Sequence, residues 1–307
     1  EVITQSFTFV ATVEAIIESR ATPVCCDIDS TLNMDPKSLL ENITPATKAV
    51  IVVHMLGVPA RLEEISAICQ QRGIFLIEDT AWGCGGNLNG VKLGTWGDAG
   101  TFSFDFAKTL TTGEGGMVVF KDTVYAEKAA AWHDHGHQNN PTVPRWEDTR
   151  ASSGFNYRMM ELQGAIGLAQ LRKLPSIISR QRNNRDLIWD AIKGLPNISP
   201  RTMPTGSFDT ADALVFFVKD DRTAKACREA LVEDQLGTKI LPEAYSWHFA
   251  ATWTHMPELV HRHAGNLVSA FEKSHQILST AVALPIGVHS NAELPNRVRA
   301  ALARVLT

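Results

Sequence analysis

From residue 1 to about residue 120, short β-branched runs alternate with amphipathic stretches, and this alternation restricts the fold more than any other feature of the chain. Strands are expected near residues 1–4, 23–27, 48–53 and 74–78, with helices around 10–19, 37–42 and 62–71 between them. Such alternation makes each helix a crossover between parallel strands, which predicts an α/β fold with a large, mostly parallel sheet. Ligands of these sheets bind at the carboxyl ends of the strands. Two further strands, about 99–104 and 116–120, bracket a polar, glycine-rich loop at that edge. Residues 132–153, rich in His, Asn, Pro and Arg, read as an extended loop. A helical pattern then runs over 161–174 and resumes over 176–195, with Leu162, Ala165, Ile166, Ala169 and Leu174 near helical spacing. Beyond Pro200, a strand at 213–218 and helices at 223–233 and 294–306 describe a smaller α+β unit. The expected division is a large domain over 1–175, and a connecting helix with a small C-terminal domain over 176–307.

Composition narrows the function classes. The 307 residues carry a formal charge of −4, which supplies no general electrostatic reason to bind nucleic acid or an anionic membrane surface. Small polar metabolites fit better. The most apolar run, Val50-Ile51-Val52-Val53, is far too short to span a bilayer, and no charged-then-apolar leader is present. Five cysteines without CxxC spacing read as reduced thiols, so a cytoplasmic enzyme is expected. Glu1-Val2-Ile3-Thr4 reads like the middle of a strand, and further chain is expected before it.

Two segments carry candidate chemistry. In Phe102-Ser103-Phe104-Asp105-Phe106-Ala107-Lys108, followed by Thr109 to Gly116, a lysine after a strand precedes hydroxyls and glycines. Partial desolvation there makes a lysine reactive as a neutral amine; a solvated lysine before a turn is the alternative. In Ile77-Glu78-Asp79-Thr80, a carboxylate follows an apolar strand at the ligand-binding edge. Asp79 reads either as the acidic partner of a bound cofactor or as a helix N-cap.

Together with Thr8-Phe9-Val10-Ala11-Thr12, Gly97-Asp98, Ser103-Phe104, Gly113-Glu114-Gly115-Gly116 and Gly154-Phe155-Asn156-Tyr157-Arg158, these residues resemble the DegT/DnrJ/EryC1/StrS aminotransferases. Those are pyridoxal 5'-phosphate (PLP) enzymes of fold type I that aminate keto-sugars. The resemblance implies that Lys108 bonds the cofactor and moves the proton, Asp79 pairs with its pyridine nitrogen, Phe9 stacks on its ring and Ser103 holds its phosphate. It further implies that Asn156 and Arg158 face the neighbouring subunit's cofactor, so that a homodimer shares its active sites. L-glutamate is the implied amino donor, and nucleotide-sugar or lipopolysaccharide biosynthesis the implied setting. His133-Asp134-His135-Gly136-His137, residues 167–174, and Trp247-His248 with Trp253 are similar to a branch acting on an eight-carbon acidic sugar of the 8-amino-3,8-dideoxy-manno-octulosonate type.

On their own residues, His133, His135 and His137 lack a clear fourth ligand for a metal, so no metal is expected; a substrate-facing or structural role fits. Trp247, His248 and Trp253 read either as a sugar pocket or as core. Two features depart from the family pattern. Trp82 stands where the family usually has glutamine, and the Ser-Gly-Thr helix start that cups the phosphate would lie upstream of residue 1. Two rival functions remain: a PLP-dependent sugar dehydratase, against which Lys108 argues because that branch replaces the lysine with histidine, and a non-catalytic binding or regulatory relative.

Overall fold

The computed structural model describes residues 1–243, 245–263 and 265–306. Its strands are β1 (Val2–Gln5), β2 (Pro23–Cys26), β3 (Ala49–Val53), β4 (Phe75–Asp79), β5 (Asn87–Leu88), β6 (Val91–Lys92), β7 (Ala99–Ser103), β8 (Gly116–Phe120), β9 (Ser199–Pro200), β10 (Ser207–Phe208), β11 (Ala213–Phe217) and β12 (Ala281–Pro285). Six of them form one sheet in the order β2-β1-β3-β4-β7-β8, parallel except for the β7–β8 pair. The expected α/β architecture is therefore present. Helices α1 (Val10–Glu18), α2 (Pro36–Asn42) and α3 (Leu62–Arg72) are the crossovers.

Local chemistry sets the ends of these helices. Asp35 accepts the Lys37 N–H at 3.0 Å, with Pro36 opening α2. Gly73, at φ 65°, closes α3 in the left-handed conformation that glycine adopts at least cost. Ile3, Val24, Val50, Val52 and Leu76 are buried with Leu62 and Ile65 of α3, so the central strands read as continuous apolar runs because helices cover them.

A second core joins Phe7, Val53 and Leu56 to Phe249, Trp253 and Phe271. Trp253 is fully buried, which makes it core and not pocket wall. The C-terminal residues also build the three-stranded sheet β12-β11-β9, packed with Ile188, Ile192, Val298 and Leu302. β12 was not anticipated from the sequence.

Two expectations are corrected. Helix α4 (Thr123–His133), capped by Asp122 on the Val124 N–H, takes in the start of the segment expected as an extended loop. The rest is fastened by bridges between Asp134 and Asn156 and between His137 and Arg150, pairings between residues far apart in sequence that leave no local period. The helical pattern also does not stop at Pro175. Helix α5 runs from Glu161 to Ile192 through it. Proline forfeits one backbone bond, but Pro175 is exposed while Leu174 and Ile178 on either side are buried against Cys84, Phe104 and Leu110. Packing holds the helix across the break.

Glu78 is the buried junction of the strand edge. It accepts hydrogen bonds from the N–H groups of Gly94 (2.8 Å), Trp96 (2.6 Å) and Gly97 (2.9 Å), and lies 3.1 Å from His54 Nε2. Burial works to raise its pKa, but the His54 contact and the Gly97 and Gly94 amides outweigh burial and hold the carboxyl below its ordinary value. A depressed folded-state pKa contributes stability that is present above the unfolded value and lost as pH falls through the folded one. Glu78→Ala should therefore cost about 3–5 kcal/mol at neutral pH, since it leaves His54 Nε2 and three amides without their partner, and the penalty should shrink toward acid. Denaturant unfolding of both proteins over the acidic range checks this; a pH-independent difference would contradict it.

Candidate active site

Asp79 is the last residue of β4, in register with Val53 of β3 and Thr101 of β7, at the carboxyl edge where a ligand is expected. Its carboxylate has two fixed donors. The Thr12 hydroxyl reaches Oδ2 at 2.9 Å and the Ala81 N–H reaches Oδ1 at 3.1 Å. Thr12 Oγ1 in turn lies 2.8 Å from Thr8 Oγ1, so the first turn of α1 orients the acid. Turns, not a helix, occupy residues 81–85, which removes the helix-cap reading. Phe9 precedes α1 and brings its ring to the same end of the sheet, 5.4 Å from His248 and 6.1 Å from Trp247.

Lys108 sits in the loop between β7 and β8. The loop is closed by Phe104 N–H to Gly115 O at 2.8 Å and Thr112 N–H to Phe104 O at 3.0 Å. Within it, Asp105 O accepts the Lys108 N–H at 3.0 Å, and the Asp105 carboxylate accepts the Ala107 N–H at 2.9 Å. Gly115 has φ 150°, and a Cβ there would fall 2.7 Å from Thr112 Oγ1, so the turn back into β8 requires glycine. Lys108 is half-buried. Burial pushes its amine below the ordinary lysine range, against Asp79, Asp212 and Asp105, while Lys239 adds to the lowering. The Lys108 amine lies 3.8 Å from the Trp82 ring centroid.

The remaining candidates lie as follows. Ser103 Oγ accepts the Asp105 N–H at 3.4 Å, which leaves its own O–H to donate. Asn156 is exposed. Arg158 Nη1 contacts Asp134 Oδ1 at 2.6 Å, beside a two-point contact from Arg145; hydrogen bonds from Arg145 and then Arg158 hold the Asp134 carboxyl far below the usual carboxylate range. His137 is buried with Nδ1 3.1 Å from Asp148, a clasp within the loop, whereas His135 is exposed at φ 55°. His133 contacts the Ala130 carbonyl. Trp247 is 62% exposed and His248 is buried. Among the described residues, no group of His, Cys, Asp or Glu is arranged to hold a metal ion, and no helix is long and apolar enough to cross a membrane.

Sequence reasoning missed Lys239 and Asp212, which form an ion pair next to Trp82. Neither belongs to a motif. The only pointer was Trp82 itself, the residue out of family pattern.

The donor set fits PLP: an amine of lowered basicity, a carboxylate fixed at the sheet edge within its electrostatic reach, and an aromatic residue, Phe9, at the start of the helix whose Thr12 orients that carboxylate. The model of the DegT/DnrJ/EryC1/StrS aminotransferase family matches residues 1–303, and PLP is the cofactor of that family. GDP-perosamine synthase of Vibrio cholerae is 37% identical over 197 residues, covering 64% of this chain and 52% of that protein. The dTDP-4-dehydro-2,3,6-trideoxy-D-glucose 4-aminotransferase of Saccharopolyspora spinosa is 37% identical over 216 residues, 67% of this chain and 56% of that protein. The chain spans about half the length of these curated relatives. The crystal structure of the aminotransferase TlmJ from Streptoalloteichus hindustanus superposes with a TM-score of 0.84 at 26% identity, over 99% of this chain and 79% of that one. With its sheet order, its loop lysine and a family match along nearly its whole length, the chain belongs to the DegT/DnrJ/EryC1/StrS aminotransferase family.

Proposed function

We propose that the protein is a PLP-dependent sugar aminotransferase that transfers an amino group from L-glutamate to a keto-sugar, in its finer form an eight-carbon acidic sugar of the 8-amino-3,8-dideoxy-manno-octulosonate type. The observation that carries the reading is the half-buried Lys108, its amine less basic than usual, in the electrostatic reach of the oriented Asp79. When bound, PLP supplies an electron sink for a carbanion. Lys108 would hold the cofactor and, as a neutral amine, would carry a proton to and from the reacting carbon. A neutral amine is what both tasks require, and burial favours it. Asp79 would keep a proton on the pyridine nitrogen, with Thr12 and Ala81 fixing the direction of the carboxylate. Ser103 would donate to the phosphate, and Phe9 would pack against the cofactor. Trp247 and His248, next to Phe9, supply the sugar-facing wall, with His135 and His137 as further candidates on the loop after α4. The buried free cysteines support a cytoplasmic setting, and the separate sheet of β9, β11 and β12 supports a small C-terminal unit within 176–307, although α5 crosses residue 175 unbroken.

The test of the reaction is mass spectrometry of products after incubating the full-length protein with PLP, glutamate and candidate keto-sugars. A mass shift for carbonyl-to-amine exchange, with 2-oxoglutarate formed, supports transfer. Loss of water without nitrogen gain supports the dehydratase, and no product from any keto-sugar the inert relative.

A homodimer completes the reading. The first half of α5 presents an apolar stripe without cover: Leu162 is 68% exposed and Leu168 60%. Gln163 at the start of α5 donates to the Glu114 carbonyl just before β8, and the exposed Met117 and Val118 of β8 line one cavity with Tyr157, which packs with Trp132 and Phe155. An exposed apolar face of this kind supports an interface, at which a second copy would bring Asn156 and Arg158 to the partner's site. Co-expressing a Lys108→Ala chain with an Asn156→Ala, Arg158→Ala chain should then restore some activity, since one site of each mixed dimer draws every needed residue from intact copies. A verified but inactive heterodimer would assign these residues to their own subunit.

A further inference from the structure

Trp82 is shared by two lysines. The Lys239 amine lies 4.7 Å from the same ring centroid that Lys108 approaches at 3.8 Å. Lys239 is not a loose surface side chain. It is ion-paired with Asp212, its N–H donates to Ala283 O at 2.8 Å, and its carbonyl accepts the Leu241 N–H at 2.8 Å. Asp212 ends a short segment whose other end is clamped, because Arg182 and Arg185 each meet Asp209 at 2.5 Å. Between them, the wholly buried Thr210 donates its hydroxyl to the Trp82 carbonyl at 3.1 Å, and its N–H to Gly57 O at 3.1 Å. One segment thus holds Trp82 by its backbone and, through Asp212 and Lys239, brings a second cation to its ring.

We propose that Lys239, held by Asp212 at the Trp82 ring, is a positioning residue for Lys108: a neighbouring cation that favours the neutral, nucleophilic amine. Two like charges at one ring repel, and in a partly desolvated site that repulsion is weakly screened. Burial, the largest influence, opposes the charged form of Lys108; Asp79, Asp212 and Asp105 favour it, and Lys239 opposes it with the smallest share. Lys239 acts twice, by its own charge and by neutralising Asp212. Trp82, tied through its carbonyl to Thr210 of the segment that ends at Asp212, gives the two amines a common neighbour.

The inference rests on Lys108 being the reactive amine, a point that borohydride labelling decides separately. Its own test is competitive acetylation of the cofactor-free full chain with a trace of labelled acetic anhydride, the midpoint for Lys108 being read from its peptide across the lysine titration range. Lys239→Met removes the cation and leaves Asp212 unopposed, so the midpoint should rise. Asp212→Asn removes a carboxylate and leaves Lys239 unpaired, so the midpoint should fall. Lys239→Arg should stay close to the parent, and the double variant Lys239→Met, Asp212→Asn should lie between the single ones. A merely structural pair would move both single variants the same way. Shifts of equal sign, or none, would overturn the proposal, and the electroneutral double variant keeps the comparison available should one single variant fold poorly.

Discussion

Lys108→Ala should fold as the parent does and lose at least about 10²–10⁴-fold in turnover, the contribution of a positioned proton carrier alone. The loss should exceed this, because the same residue is proposed as the covalent anchor of the cofactor. Folding should survive because the loop is closed by backbone bonds from Phe104 and Thr112 and by the Asp105 turn, none of which uses the lysine side chain. The fate of the cofactor separates this outcome from general damage. Borohydride reduction of the loaded parent should fix PLP to the peptide containing Lys108, and the variant should show no visible band and no fixed cofactor while keeping the parent's thermal transition. Labelling at Lys239, the other lysine at Trp82, would transfer the anchoring role to it.

Asp79→Asn should lower turnover by roughly 10²–10³-fold, the scale for removing one preorganised electrostatic partner, with a much smaller effect on cofactor loading. The amide keeps the shape of the acid. It can still accept from the Ala81 N–H and meet the Thr12 hydroxyl, so the edge of β4 should stay in place. What it cannot do is keep a proton on the pyridine nitrogen, the feature that makes the ring an electron sink. Loading measured by absorbance and turnover measured by product should therefore separate. Equal losses in both would assign Asp79 to holding the cofactor alone, and near-parent turnover would leave it a purely structural acid, as Glu78 beside it is.

That contrast between neighbours shows where the sequence was legible. Glu78 and Asp79 are the same chemistry one residue apart. Strand alternation sends their side chains to opposite faces, and only the fold reveals that Gly94, Trp96 and Gly97 close over the first while Thr12 turns toward the second. The parallel sheet, the crossover helices and the loop carrying Lys108 could be read from local period and motif, because each depends on residues adjacent in the chain. The passage of α5 through Pro175 could not, since the burial of Leu174 and Ile178 outweighs the local signal of a break. The Asp134–Asn156 and His137–Arg150 bridges were equally hidden, as pairings of distant residues leave no period.

The sequence by itself determined the family, the strand–helix order and the identity of the candidate lysine and acid, because motif and period are properties of neighbouring residues. Tertiary structure alone decided what surrounds that lysine. Lys239 and Asp212 lie more than a hundred residues from Lys108 in the chain, yet their pair meets it at Trp82. Coulomb forces and desolvation act through space, so the basicity of Lys108 answers first to burial, then to Asp79 at the sheet edge, and also to the distant Asp212 and Lys239.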